Sequence, residues 1–189
     1  VAPAEAAPVQ PLLVSLIGSR LGPRVADLMR RMPHLAGHIA LAVDGLHPGA
    51  DGGTVSLRRD GRFALDYPVG PALVEAMREA HLQLVRGHVA SGAAHIYTAH
   101  AGADNAPAAE AEALLGRLRY GAFEHTIVSA HVMGGCAMGV DPARSVVDNQ
   151  HRVYGFGNLF VVDGSVFPSA LGVNPSETIY GLAHRARPL

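Results

Sequence analysis

The chain has no tryptophan, a single cysteine, and only five phenylalanines and five tyrosines in 189 residues. So few aromatic rings supply no base-stacking platform for single-stranded nucleic acid. A formal net charge of -1 removes the basic field that would draw a phosphate backbone or an anionic membrane surface. Cys136, alone, excludes an intrachain disulfide. No apolar run approaches the roughly 20 residues that span a bilayer. The opening VAPAEAAPVQP has neither the basic start nor the apolar centre of a signal peptide. It favours the cytoplasm, and reads as an extended linker or as the cut edge of a longer chain. The 11 histidines are scattered outside HExxH or Cys/His ligand spacing, so no structural metal is expected. Also missing is GxGxxG between a strand and a helix, the turn on which a βαβ unit seats a dinucleotide pyrophosphate. Gly134-Gly135-Cys136 and Gly155-Phe156-Gly157 do not substitute for it.

What is present suffices for a core: 49% hydrophobic and 16% charged residues, in a length of one large domain or two small ones. The 22 glycines and 13 prolines predict many loops. Broken by Gly22-Pro23, residues 12–32 give an irregular or short helical piece, then a helix from about Arg24 to Met32. His38 to Asp44 reads as a buried strand and Gly45 to Gly53 as a loop. Val55, Leu57, Phe63 and Leu65 lie on runs either side of Asp60-Gly61, a hairpin signal. Pro71 to Gly92 is a long amphipathic helix with Pro near its start and Gly as its C-cap. A short strand at His95–Ala99 and a helix over Ala106–Tyr120 complete an α+β layer: an antiparallel sheet with helices. Leu41, Val43, Ile96 and Tyr97 are either core or the lining of a substrate pocket.

From about residue 123 the pattern changes. His125 to Ala130 is strand-like and ends in His131, within HVMGGCAMG. Asn158 to Asp163 reads as a buried strand ending in Asp163-Gly164, and Thr178 to Arg187 as a final helix. Asn174 follows a glycine-rich bend just before Pro175. A neutral imidazole, with an ordinary pKa of about 6.5, suits the removal of a hydroxyl proton near neutral pH. A side-chain amide suits the oxygen on which charge then develops. Alcohol oxidation also needs a hydride acceptor, which no side chain provides, so a cofactor is required. Blander readings stand beside these. His131 fits a core histidine, Asn174 a helix N-cap, Asp163 a turn residue and Cys136 a small packing residue.

SAHVMGGCAMG, followed by DPARSVVDNQHRVYGFGNLFVVDGSVFPSALGVNPSETIYGLAHRA, resembles the glucose-methanol-choline (GMC) flavin oxidoreductases, and within them the cholesterol-oxidase-like members. The histidine-glycine-cysteine block, the NLFVVDGS run and GVNPSETI occur in the family's order; the hairpin segment is similar to the family's substrate domain. The resemblance implies FAD as cofactor and an alcohol, hydrophobic or sterol-like, as substrate. His131 would be the base and Asn174 the second catalytic residue, with hydride passing to flavin N5. Asp163, Gly164, Asn174, Pro175 and Thr178 would face the cofactor. It further implies a substrate-binding domain over residues 1–122 and, over 123–189, the C-terminal segment of an FAD-binding α/β (Rossmann-like) domain. The N-terminal part of that domain would be supplied in cis or in trans. A non-catalytic partner subunit or fragment of a flavoprotein, and an FAD-containing hydroxynitrile lyase, are the alternatives.

Overall fold

Two runs of alternating residues around Asp60-Gly61 form the expected hairpin. β3 (Thr54–Leu57) pairs antiparallel with β4 (Phe63–Asp66), Val55 opposite Leu65 and Leu57 opposite Phe63. Gly61 has φ +80°, the left-handed residue that closes a three-residue hairpin loop. The Asp60 carboxylate accepts from the Arg62 backbone N–H and guanidinium, which holds its pKa below the usual range. The register puts Val55, Leu57, Phe63 and Leu65 on one face, where they stay 68–79% exposed. A contiguous apolar face of this kind is uncommon on a free surface.

The computed structural model describes residues 4–17, 24–47, 49, 52–100 and 105–186; the expected break at Gly22-Pro23 lies outside them. Two compact units are present, residues 1–42 with 53–127 and residues 43–52 with 128–189. The architecture is α+β, with helices and small antiparallel sheets.

In the first unit the opening residues form a strand rather than a linker. β1 (Ala4–Ala7) pairs antiparallel with β2 (Gly37–Ala40), Glu5 opposite Ile39. Alanine and glutamate have little intrinsic strand preference, and the cross-strand partner overrides it. β2 is shorter than the run from His38 to Asp44 suggested and is half-exposed rather than buried. α1 (Pro11–Ile17) and α2 (Arg24–Arg30) follow β1.

α3 (Pro71–Ala90) begins as read from the sequence, with extended Gly70 before Pro71. At its end Gly92 takes φ +88°. The Gly92 N–H donates to Val89 and the Ala93 N–H to His88, a Schellman closure that only a left-handed residue permits. β5 (His95–Tyr97) pairs with β6 (Asn105–Pro107), a strand the sequence did not announce. This pairing and Pro107 delay the helix expected from Ala106, so α4 runs only over Ala111–Arg117. Val85 of α3, Ile96, Ala106, Ala111, Leu114, Leu115 and Leu118 form the core.

The second unit has α5 (Ser176–Arg185) and 3-10 turns at Asp44–Leu46 and Gly164–Val166. Isolated bridges join Met138 to Val147, Val147 to Val153 and Arg152 to Phe160. The run from Asn158 to Asp163, expected as a buried strand, therefore pairs at one bridge only. The expected strand over His125–Ala130 likewise meets its neighbour once, His125 at His100 in the first unit. Val147, His151, Val166 and Phe167 are the buried centre of the second unit. Among the described residues no helix is long and apolar enough to cross a membrane.

Candidate functional site

The candidate catalytic and cofactor-facing residues all fall in the second unit, whereas Leu41, Ile96 and Tyr97 lie in the first. His131 is half-buried and lies at a bend in irregular chain rather than at a strand end. Beyond it Gly134 and Gly135 take φ +87° and +100°, which turns the chain in a way that side-chain-bearing residues resist. The turned segment runs beside the Asp163 turn. N–H groups of Gly134, Cys136 and Met138 donate to the carbonyls of Gly164, Ser165 and Val166, at 3.3, 3.0 and 2.8 Å. The two motifs are thus neighbours through their backbones.

Asp163 is exposed and its carboxylate is engaged. Oδ1 accepts from the Ser165 N–H at 2.8 Å and the Ser165 hydroxyl at 2.5 Å. Those bonds, the hydroxyl's first, hold its pKa below the usual carboxylate range, so it is anionic at neutral pH. Gly164 is buried because the chain passes close on two sides. A Cβ there would lie 3.2 Å from the Val132 carbonyl oxygen and 3.3 Å from Ile179 Cδ1 of α5. Gly164→Val should cost the protein about 1–3 kcal/mol by overpacking; an unchanged melting temperature would contradict this close approach.

Pro175 is buried, and Asn174 and Thr178 are exposed at the start of α5. Pro175, not Asn174, occupies the N-cap position, and a proline side chain makes no capping hydrogen bond. The first N–H groups of a helix have no partner within it, so this end offers backbone donors beside Asn174. At the other end Arg185 donates from Nη2 to the Asn149 carbonyl at 2.6 Å. Cys136 is half-buried.

One constellation escaped the sequence reading and lies in the first unit. His81 and His100 stack with centroids 5.4 Å apart, and His100 and His125 at 4.9 Å. Tyr120 stands edge-on to all three, its hydroxyl 3.0 Å from His81 Nδ1. His100 is 2% exposed, and neither of its ring nitrogens has a hydrogen-bond partner. Burial first, then the neighbouring imidazoles, pushes His81 and His100 down to about 4. Face-to-face rings do not converge on one point, and no metal-holding group of three or more His, Cys, Asp or Glu occurs among the described residues.

Residues 48–183 match the model of the GMC oxidoreductase family in its C-terminal part. The chain belongs to the GMC oxidoreductase family, whose members are generally FAD-dependent. A cholesterol oxidase of Acinetobacter baumannii is 59% identical over 58 residues, 31% of this chain and 10% of that protein. A cholesterol oxidase of Mycobacterium tuberculosis is 48% identical over 62 residues, 33% of this chain and 11% of that protein. A long-chain-alcohol oxidase of Arabidopsis thaliana is 48% identical over 58 residues, 31% of this chain and 8% of that protein. The matched stretch thus spans about a tenth of the length of these curated relatives.

The residues present fit FAD. Gly134 and Gly135 offer bare backbone, with nothing within 4 Å of where a Gly135 Cβ would stand. The first turn of α5 adds N–H groups suited to an electron-rich ring edge or an anionic group.

Proposed function

We propose that this chain supplies the substrate-binding part, residues 1–122, and the C-terminal flavin-facing segment, residues 123–189, of an FAD-dependent alcohol oxidoreductase. The observation that carries the reading is the row of hydrogen bonds from Gly134, Cys136 and Met138 to Gly164, Ser165 and Val166. It joins the histidine motif to the Asp163 turn, and Gly164 in turn abuts Ile179 of α5.

His131 takes the hydroxyl proton of the substrate at a ring nitrogen, and Asn174 donates from its side-chain amide to the same oxygen. FAD, when bound, supplies the acceptor for the hydride leaving the carbinol carbon. Asp163, Gly164, Asn174, Pro175 and Thr178 would hold it, with the first-turn N–H groups of α5 facing its electron-rich edge. The substrate is a hydrophobic or sterol-like alcohol, in keeping with relatives named for cholesterol and long-chain alcohols. The missing dinucleotide turn is supplied by a further region, in cis or in trans.

Native purification from the source organism tests this reading. The protein should carry FAD, and anaerobic addition of a sterol or long-chain alcohol should reduce it. A colourless protein that takes up no added FAD would overturn the reading.

A further inference from the structure

Among the described residues His151 is the largest side chain with less than 2% exposure, at 1%, and its backbone is left-handed, φ +65°. Few residues other than glycine adopt that region, although asparagine, aspartate and histidine do so more often than the rest. Its Nε2 is buried without a hydrogen-bond partner. Two unfavourable features at one residue persist only where the surroundings hold it in place.

The holding contacts run to Asp148, whose carbonyl accepts from the His151 N–H at 3.0 Å, and to Val161. His151 Nδ1 lies 3.0 Å from the carbonyl oxygen of Val161. A carbonyl only accepts, so the proton is on Nδ1. The Val161 N–H donates to the His151 carbonyl, also at 3.0 Å. Both backbone polar groups of Val161 are therefore bound by one residue. Arg152 bridges Phe160, and the Val153 N–H donates to Leu159, so residues 151–153 and 159–161 run antiparallel. The Asp148 carboxylate secures the near end, accepting from the N–H groups of Gln150 and Arg152. Two residues after Val161 comes Asp163, whose carboxylate binds Ser165.

The geometry points to His151 as a positioning residue: its ring fixes Val161, and through it the Asp163–Val166 turn on which the Gly134–Met138 segment hangs. The inference deepens the flavoenzyme reading and rests on it for its effect on cofactor binding. The left-handed backbone alone could be met by glycine. The imidazole adds a donor that reaches the Val161 carbonyl and a ring that fills the centre of the unit.

The test uses the natively loaded protein and two substitutions that both tolerate the left-handed backbone. His151→Gly removes the donor, whereas His151→Asn keeps one. Flavin affinity and amide hydrogen exchange at Ser165 are the readouts. His151→Gly should weaken flavin binding at least about tenfold and speed Ser165 exchange by a similar factor; His151→Asn should restore most of both. Leu114→Ala, a core truncation in the first unit, should lower the melting temperature while moving neither readout. Wild-type flavin affinity and exchange in His151→Gly would overturn the positioning role and leave the flavoenzyme reading intact. If the wild-type protein takes up no flavin, that reading falls; faster Ser165 exchange in His151→Gly then supports the clamp, and unchanged exchange overturns it. Should His151→Gly not fold, His151→Asn decides: near wild-type values support the clamp, and a tenfold loss overturns it.

Discussion

Replacing His131 with alanine in the flavin-loaded protein purified from its source should slow flavin reduction by alcohol about 10²- to 10⁴-fold, the range spanned by loss of a positioned general base. The flavin should stay bound, because the backbone donors from Gly134, Cys136 and Met138 to the Asp163 turn do not involve the imidazole. Asn174→Ala should also lower the rate, by about 10²-fold or more if its amide stabilises developing charge on the substrate oxygen. Stopped-flow reduction under anaerobic conditions separates the chemical step from reoxidation. Wild-type reduction rates in His131→Ala would remove the base from this residue.

Lowering the pH from about 6.5 towards 4 should unfold the first unit, and here the imidazole stack is the cause. His81 and His100 are pushed down to about 4 in the folded protein, whereas free histidine titrates near 6.5. Between those values the unfolded chain binds more protons than the folded one. Stability from these groups is therefore complete above about pH 6.5, falls as pH drops towards 4, and changes little further below that. At about 1.4 kcal/mol per pKa unit the loss is at most about 3.5 kcal/mol per imidazole, a large part of the 5–15 kcal/mol typical of a domain. The Arg119 backbone favours charged His100, but more weakly than burial and the neighbouring imidazoles oppose it. Arg78 sits over the Tyr120 ring at 4.8 Å, and the nearby carboxylates Glu75 and Glu124 already pair with Arg78 and Arg119. His88 on the same helix shifts downward too, by burial and then by His38, whose Nδ1 is 3.0 Å from its Nε2.

His100→Phe keeps a ring in the stack and removes both buried nitrogens. It should raise the melting temperature at neutral pH and flatten its decline on acidification. Melting curves by circular dichroism between pH 7.5 and 4 check both outcomes. A wild-type melting temperature that stays level across that interval would show that the stack does not govern acid stability.

The hairpin at Asp60-Gly61 and the long helix from Pro71 to the Gly92 cap were legible because local residues decide them. Proline, glycine and strict alternation act within a few positions. The strands β1 and β6 were not legible, because their cause lies elsewhere in the chain. Ala4–Ala7 is extended through pairing with residues 37–40, and Asn105–Pro107 through pairing with β5. Apolar content misled at Asn158–Asp163 and His125–Ala130, which pair only at single bridges. Both runs also stay largely exposed, with Val128 at 67% and Leu159 at 46%, so apolar content there marks neither burial nor a ladder. In the tail, motif order identified the family and the glycines at 134 and 135 announced their turn. The histidine stack was hidden because His81, His100 and His125 are far apart in sequence and share no periodicity. His151 was hidden for another reason: its backbone conformation is one that its residue type does not advertise.

The small turn at Asp44–Leu46 has a consequence for synthesis. It belongs with the second unit, and its neighbours are late residues: a Cβ on Gly45 would meet Ala170 at 3.1 Å, and one on Gly172 would meet Leu46 at 3.2 Å. A ribosome adding about 5–20 residues per second reaches residue 170 roughly 6–25 s after it has placed residue 46. For that interval Leu46 is without its docking surface while β3, β4 and α3 are already made. The second unit is therefore completed last, by chain made at both ends of that interval.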